Sequence, residues 1–133
     1  MELAELQARG RRRRGSPSVP AGCRPNAKAC FSVSQRTAWL LRPGRVVVAM
    51  PALGGRPGHP TPTGQFTVQF HDENHVSSIY HAPMPFGVNF APQVGFHAGS
   101  LVVQSHGCVH LSRVNARRFF NYLQDGDPVD VVP

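Results

Sequence analysis

The segment FHAGSLVVQSHGCVHLS, residues 96–112, brings His97, His106, Cys108 and His110 into a window of fourteen residues. Imidazoles and a thiol at this density suit three arrangements: a metal centre, a nucleophilic cysteine with its base, or a glycine-containing turn whose histidines are satisfied in a core. Structural zinc sites pair ligands two to four residues apart in two separate knuckles, and catalytic ones often use an H-E-x-x-H helix. This segment has one cysteine, no second cluster and no nearby carboxylate, so neither a metal nor another cofactor is expected.

Nucleophilic attack by sulfur requires an imidazole that accepts the thiol proton and backbone N–H groups where negative charge develops on the attacked carbonyl. SHGCVH can supply both. Gly107 lets the backbone approach a substrate closely, and a helix beginning a few residues later would direct its positive end at Cys108 and favour thiolate. His97 ends a neighbouring short strand, and the seven residues between it and Ser105 suffice for the chain to return across a hairpin. His97 is therefore the candidate base. His106, two residues from Cys108, is assigned to holding the turn by hydrogen bonds. The purely structural turn stays open at this stage.

These groups must be held by a framework, and the composition indicates a mainly β one. The chain has 133 residues, the size of one domain, with 13 Gly, 13 Pro, 41% hydrophobic and 16% charged residues. ACFSVS, TAWLLR and VVVAM read as a three-strand meander, the last two separated by a PGR turn. LGGRPGHPTPTG is too rich in glycine and proline for a regular element. QFTVQF, residues 65–70, alternates as a half-buried strand does. Residues 72–85 read as a mobile excursion able to overhang a site, followed by a strand around residues 87–90. VGFH and LVVQ read as two more short strands. One helix is expected after Cys108: Ser112 offers an N-cap, Val114, Phe119, Tyr122 and Leu123 recur near helical spacing, and DGD ends it before a terminal strand.

Charge and cysteine usage bound the partners. The net charge is +7, but five of the fourteen basic residues lie in RGRRRRG near the start. Residues 1–22 read as a disordered basic tail, and residues 23–133, with nine basic and five acidic residues, carry +4. That mild excess suits a polyanionic environment without requiring nucleic acid, and no nucleic-acid partner is expected. No window reaches the roughly 18 apolar residues of a membrane span. Cys23 and Cys30 lie seven apart in a loop and can pair in an oxidising compartment, the alternative being two free thiols; Cys108 is left over as a candidate reactive thiol.

TPTGQF, then FHAGS, then SHGCVHLS, a helix and GDPVDVV together resemble the L,D-transpeptidase catalytic domain, the YkuD domain, over roughly residues 29–133. The family signature, a histidine followed after a spacer by Ser/Thr-His-Gly-Cys, is met by His97 and Ser105-His106-Gly107-Cys108. The wording is similar to that of actinobacterial members. The resemblance implies a YkuD-like β-sandwich and an acyltransferase of peptidoglycan biosynthesis, with Cys108 attacking the third residue of a tetrapeptide stem and forming a thioester. It further implies His97 as base, its ring oriented by a carbonyl near Ala98, and an oxyanion cradle from Gly107, Cys108 and their neighbours. Tyr80 would be a wall of the groove. Peptidoglycan stem peptides would be the partners and carbapenem-type β-lactams the inhibitors.

Two departures affect substrate contacts. The spacer from His97 to Ser105 is shorter than is usual in the family, and the position commonly Arg or Asn is His110, whose charge depends on pH. Hydrolysis of the thioester, as in an L,D-carboxypeptidase, and a non-catalytic wall-binding module are the competing readings. The implied location is the periplasm or cell wall. The first thirty residues carry no apolar stretch of a secretory signal, so an in-frame apolar segment upstream of Met1 is expected.

Overall fold

The computed structural model of the chain describes residues 19–76 and 81–133. Within them the elements run β1 (Ala29–Ser32), β2 (Thr37–Arg42), β3 (Arg45–Pro51), β4 (Gly64–Thr67), β5 (Phe70–Val76), β6 (Pro83–Ala91), β7 (Val94–Ala98), β8 (Val109–Leu111), α1 (Arg113–Tyr122) and β9 (Pro128–Val132). The strands form a five-stranded sheet, β3-β2-β1-β9-β4, and a four-stranded sheet, β5-β6-β7-β8. Among the described residues this is a mainly β architecture with one helix after Cys108, as composition and helical spacing indicated, and the sandwich is the one the resemblance implied.

The meander forms where the sequence places it, with Gly44 at φ +76° allowing the turn between β2 and β3. β9 then inserts beside β1 in parallel, Ala29 opposite Val129 and Cys30 opposite Asp130. Alternation sorts the side chains of this sheet. Phe31, Ala38, Leu40, Val129 and Val131 join Val88, Phe90, Phe96, Val109 and Leu111 of the second sheet in the main core. Rings at 4.8–5.3 Å centroid spacing, Phe66 to Phe90 to Phe96 to Phe119, carry that core from β4 to α1.

The outer face of the first sheet buries Cys30, Trp39 and Leu41 with Ala27 in a second cluster, covered by Val19 and Cys23. Packing therefore begins ahead of Cys23. A Cys23–Cys30 disulfide, Cα–Cα 6.2 Å, pins this cover to β1. Beside it Asp130, 1% exposed, accepts from the Arg24 backbone N–H at 2.6 Å and from the guanidinium at 2.7 and 2.8 Å.

Helix α1 starts on Ser112, whose side chain accepts from the Asn115 N–H at 3.2 Å. Ala116, Phe119 and Leu123 form its inward stripe. Val114, expected on that stripe, is 72% exposed.

Three strand boundaries differ from the sequence reading. Residues 65–70 do not form one strand: the chain leaves the first sheet after Thr67, Val68 N–H donates to Asp127 O, and Gln69 N–H donates to Asn89 O on entry to the second. Within the excursion expected at 72–85, residues 72–76 and 83–85 are instead strand, β5 paired antiparallel with β6, in which Asn74 faces Pro85 and His75 faces Met84, and residues 77–80 lie outside the described residues. LVVQ is not a strand. Val102 and Val103 donate to the Ser100 hydroxyl in a bend, and Val102 is 89% exposed. Among the described residues no helix is long and apolar enough to cross a membrane.

Because Asp130 is buried and holds three donors of Arg24, Asp130→Ala should lose about 2 to 3 kcal/mol of unfolding free energy in urea titration. Asp130→Asn, which keeps one acceptor, should lose less.

Candidate active site

β7 and β8 are parallel neighbours with Phe96 opposite Val109, His97 opposite His110 and Ala98 opposite Leu111. Phe96, Val109 and Leu111 point into the core. The alternate residues face the other way, and the His97 and His110 rings meet edge to face at 4.8 Å there. Cys108, one residue before β8, falls on this same face by alternation, diagonal to His97. Residues from two chain stretches are thus brought to one face of the sheet, opposite the core, by a two-strand register.

The ring of His97 is oriented by its neighbour's backbone. Nδ1 donates to Ala98 O at 2.8 Å, which fixes the proton on Nδ1 and leaves the lone pair on Nε2. Nε2 is buried and has no hydrogen-bond partner, the thiol included. The Cys108 thiol instead donates to Gln93 O at 3.6 Å. His97 and Cys108 are 6% and 7% exposed.

Burial sets the protonation of both. It lowers the His97 pKa to about 4, partly opposed by the Ala98 carbonyl and reinforced by His110 and His75. It pushes the Cys108 thiol up from the ordinary thiol range, against a lowering hydrogen bond from the Gly95 backbone. The resting pair is neutral thiol and neutral imidazole. The helix contribution expected from sequence is not available, because β8 intervenes. Four residues at about 3.3 Å each set Ser112 roughly 13 Å along the chain from Cys108, beyond the reach of a terminal dipole.

The turn before Cys108 is knitted to the loop between β3 and β4. Ser105 Oγ accepts from Gly107 N–H at 2.9 Å and donates to Cys108 O, so the Gly107 amide is already committed. Gly107 has φ +135°, a region that suits glycine. Leu53 exchanges hydrogen bonds with His110 at 2.8 and 3.1 Å, extending the second sheet past β8. Arg56 N–H donates to Ser105 O at 2.9 Å and its guanidinium to Gln104 O at 3.0 Å. A Cβ on Gly55 would stand 1.9 Å from His59 O and 3.0 Å from Gly107 Cα, so only glycine permits this approach.

The other residues singled out in the sequence take varied places. His106 is exposed, its ring edge-on to His59 at 5.2 Å. His110 Nδ1 donates to Ser100 O at 2.8 Å, and burial lowers its pKa. In the neutral ring so favoured, Nε2 has no proton to offer a substrate carboxylate. Tyr80 lies outside the described residues. Sequence reasoning missed Gln93, Gly95, Thr61 and Leu53, all of which act through backbone or loop contacts with no chemical signature. Among the described residues no group of three or more His, Cys, Asp or Glu side chains is disposed to hold a metal ion.

The His97 shift has a consequence for stability. The unfolded ring binds a proton below about 6.5 while the folded ring resists until about 4, so this site costs nothing above pH 6.5 and destabilises progressively from 6.5 down to 4. Between pH 7 and pH 4.5, His97→Gln should lose about 2 to 3 kcal/mol less unfolding free energy than the wild type, measured by urea titration at both values.

Comparison with known proteins identifies the family. Residues 27–131 match the family described as YkuD, the L,D-transpeptidase catalytic domain. The chain is 30% identical over 121 residues to L,D-transpeptidase 1 of Mycobacterium tuberculosis, covering 76% of this chain and 48% of that protein, so it spans about half the length of this relative. The crystal structure of an L,D-transpeptidase from Mycobacterium tuberculosis is similar at a TM-score of 0.73 and 30% identity, over 82% of this chain and 58% of that one. L,D-transpeptidase 3 from the same organism, in complex with a faropenem-derived adduct, gives 0.73 and 27% over 82% and 61%. The match over residues 27–131, together with the sandwich shared with these proteins, makes the chain a member of the L,D-transpeptidase catalytic domain (YkuD) family.

Proposed function

We propose that the chain is a cysteine acyltransferase of the bacterial cell wall, an L,D-transpeptidase acting on peptidoglycan stem peptides outside the membrane. The observation that supports this most is that His97, whose Nε2 is buried and bare, pairs in register with His110, two residues after the buried Cys108 thiol.

In this reading His97 Nε2 takes the thiol proton as sulfur attacks the carbonyl carbon between the third stem residue and the terminal D-alanine. The C–N bond breaks, the imidazolium protonates the leaving amine, and a thioester remains on Cys108. An amine from a neighbouring stem then attacks the thioester, giving its proton to His97, which returns it to sulfur. No redox partner is needed and the enzyme is regenerated.

The energetics say when the charge appears. Burial lowers the His97 pKa to about 4 and pushes the Cys108 thiol up, so both shifts oppose proton transfer from sulfur to imidazole in the resting pair. Thiolate is therefore not the resting nucleophile. The thiol must leave Gln93 O and turn to Nε2, and proton transfer then accompanies attack, where a backbone donor stabilises the developing oxyanion. With the Gly107 amide held by Ser105, the Cys108 amide is the donor this turn offers.

Faropenem and a carbapenem supply a strained carbonyl for the same attack. Incubated with either, the wild type should gain the mass of one opened β-lactam, located on Cys108 by peptide mapping, and Cys108→Ala should gain none. His97→Gln should acylate about 10²- to 10⁴-fold more slowly. An unmodified wild type, or an equal adduct on Cys108→Ala, would refute the assignment. Supplying donor and acceptor stems and analysing products by mass then separates a cross-linked dimer from hydrolysed stem.

A further inference from the structure

Thr61 is not a titratable group and lies in a loop, yet it is 4% exposed. Its hydroxyl donates to Gly107 O at 2.7 Å and accepts from Gly55 N–H at 3.0 Å, a relay from the β3–β4 loop to the turn before the nucleophile. A Cβ on Gly54 would come within 2.7 Å of Thr61 Oγ1 and 3.1 Å of the Phe31 ring, so the loop is closed tightly around this hydroxyl. We propose that Thr61 is a positioning residue that locks the Gly107–Cys108 peptide with its N–H facing the reacting carbonyl. This rests on the acyl-transfer reading above.

The argument is covalent geometry. In a trans peptide the carbonyl oxygen and the following N–H point in opposite directions across one plane. Holding Gly107 O inward at Thr61 therefore directs the Cys108 N–H to the other side. A peptide that follows glycine is easy to rotate, because Gly107 has no Cβ to oppose a change of ψ. Gly107 N–H is fixed separately by Ser105. Ser105 thus holds the peptide before Gly107, and Thr61 holds the one after it. Without the Thr61 hydroxyl the second peptide can turn over, replacing a donor by a carbonyl oxygen where negative charge must gather, the most unfavourable exchange for an oxyanion.

The test separates oxyanion chemistry from thiol chemistry. Acylation by a carbapenem passes through an oxyanion; alkylation by iodoacetamide, a displacement at saturated carbon, does not. Thr61→Val keeps the side-chain shape and removes the hydroxyl. It should acylate roughly 10²-fold more slowly than wild type while Cys108 alkylates at the wild-type rate, and Thr61→Ser should restore acylation. Should Thr61→Val fail to fold, Thr61→Ala against Thr61→Ser makes the same comparison. Equal acylation in the hydroxyl-free variant and the wild type would overturn the proposal. So would parallel losses of acylation and alkylation, which mark general disorder of the site. Absence of any Cys108 adduct on the wild type would instead overturn the transpeptidase reading, and this proposal with it.

Discussion

The parallel pairing of β7 with β8 is the constraint on which the rest depends. It makes one strand pair serve two environments: Phe96, Val109 and Leu111 close the core, while His97, Cys108 and His110 are delivered to the opposite face. A shift of one residue would exchange the two sets, burying imidazoles among phenylalanines and exposing the core. The packing that stabilises the fold is therefore also what specifies the site. Helix α1 contributes through Phe119 on Phe96, at 4.8 Å, and not through its dipole.

The second consequence is electrostatic. A thiol and an imidazole that are both more than nine-tenths buried pay for charge twice, and here both groups move toward neutrality. Such a site holds an unreactive thiol until a substrate arrives with a carbonyl to accept the electron pair. Preorganised dipoles then matter more than a standing thiolate, which gives the backbone of residues 105–108 and the hydroxyls of Ser105 and Thr61 their importance. The Gly54–Gly55 pair lets the covering loop come close enough to take part.

Much of this was legible in the sequence, for identifiable reasons. Short apolar runs bounded by turn residues, as in TAWLLR, VGFH and PVDVV, marked strands, and Ser112 marked a helix start through its capping chemistry. His97 and Cys108 stood out as reactive types at a suggestive interval. What was hidden lies in pairings distant in sequence. VHL is too short to announce itself as a strand, and only its neighbours β7 and Leu53 make it one. The polar DENH stretch pairs with a proline-containing strand against its local preferences, because β6 is already anchored on β7. The reach of the helix dipole was overestimated for the same reason, since the intervening strand was not visible. Thr61 carries no catalytic signature at all; its place follows from a loop folding back forty-six positions onto Gly107.

The claim most exposed to test is that sulfur and imidazole rest as a neutral pair. The rate of Cys108 alkylation by iodoacetamide, followed by intact mass from pH 5 to pH 10, reads the thiolate population of the free protein. The account predicts a single rise whose midpoint lies above that of an ordinary cysteine thiol, with little reaction near neutrality. A plateau already reached at pH 6 and sustained to pH 8, the mark of a thiolate–imidazolium pair, would contradict it.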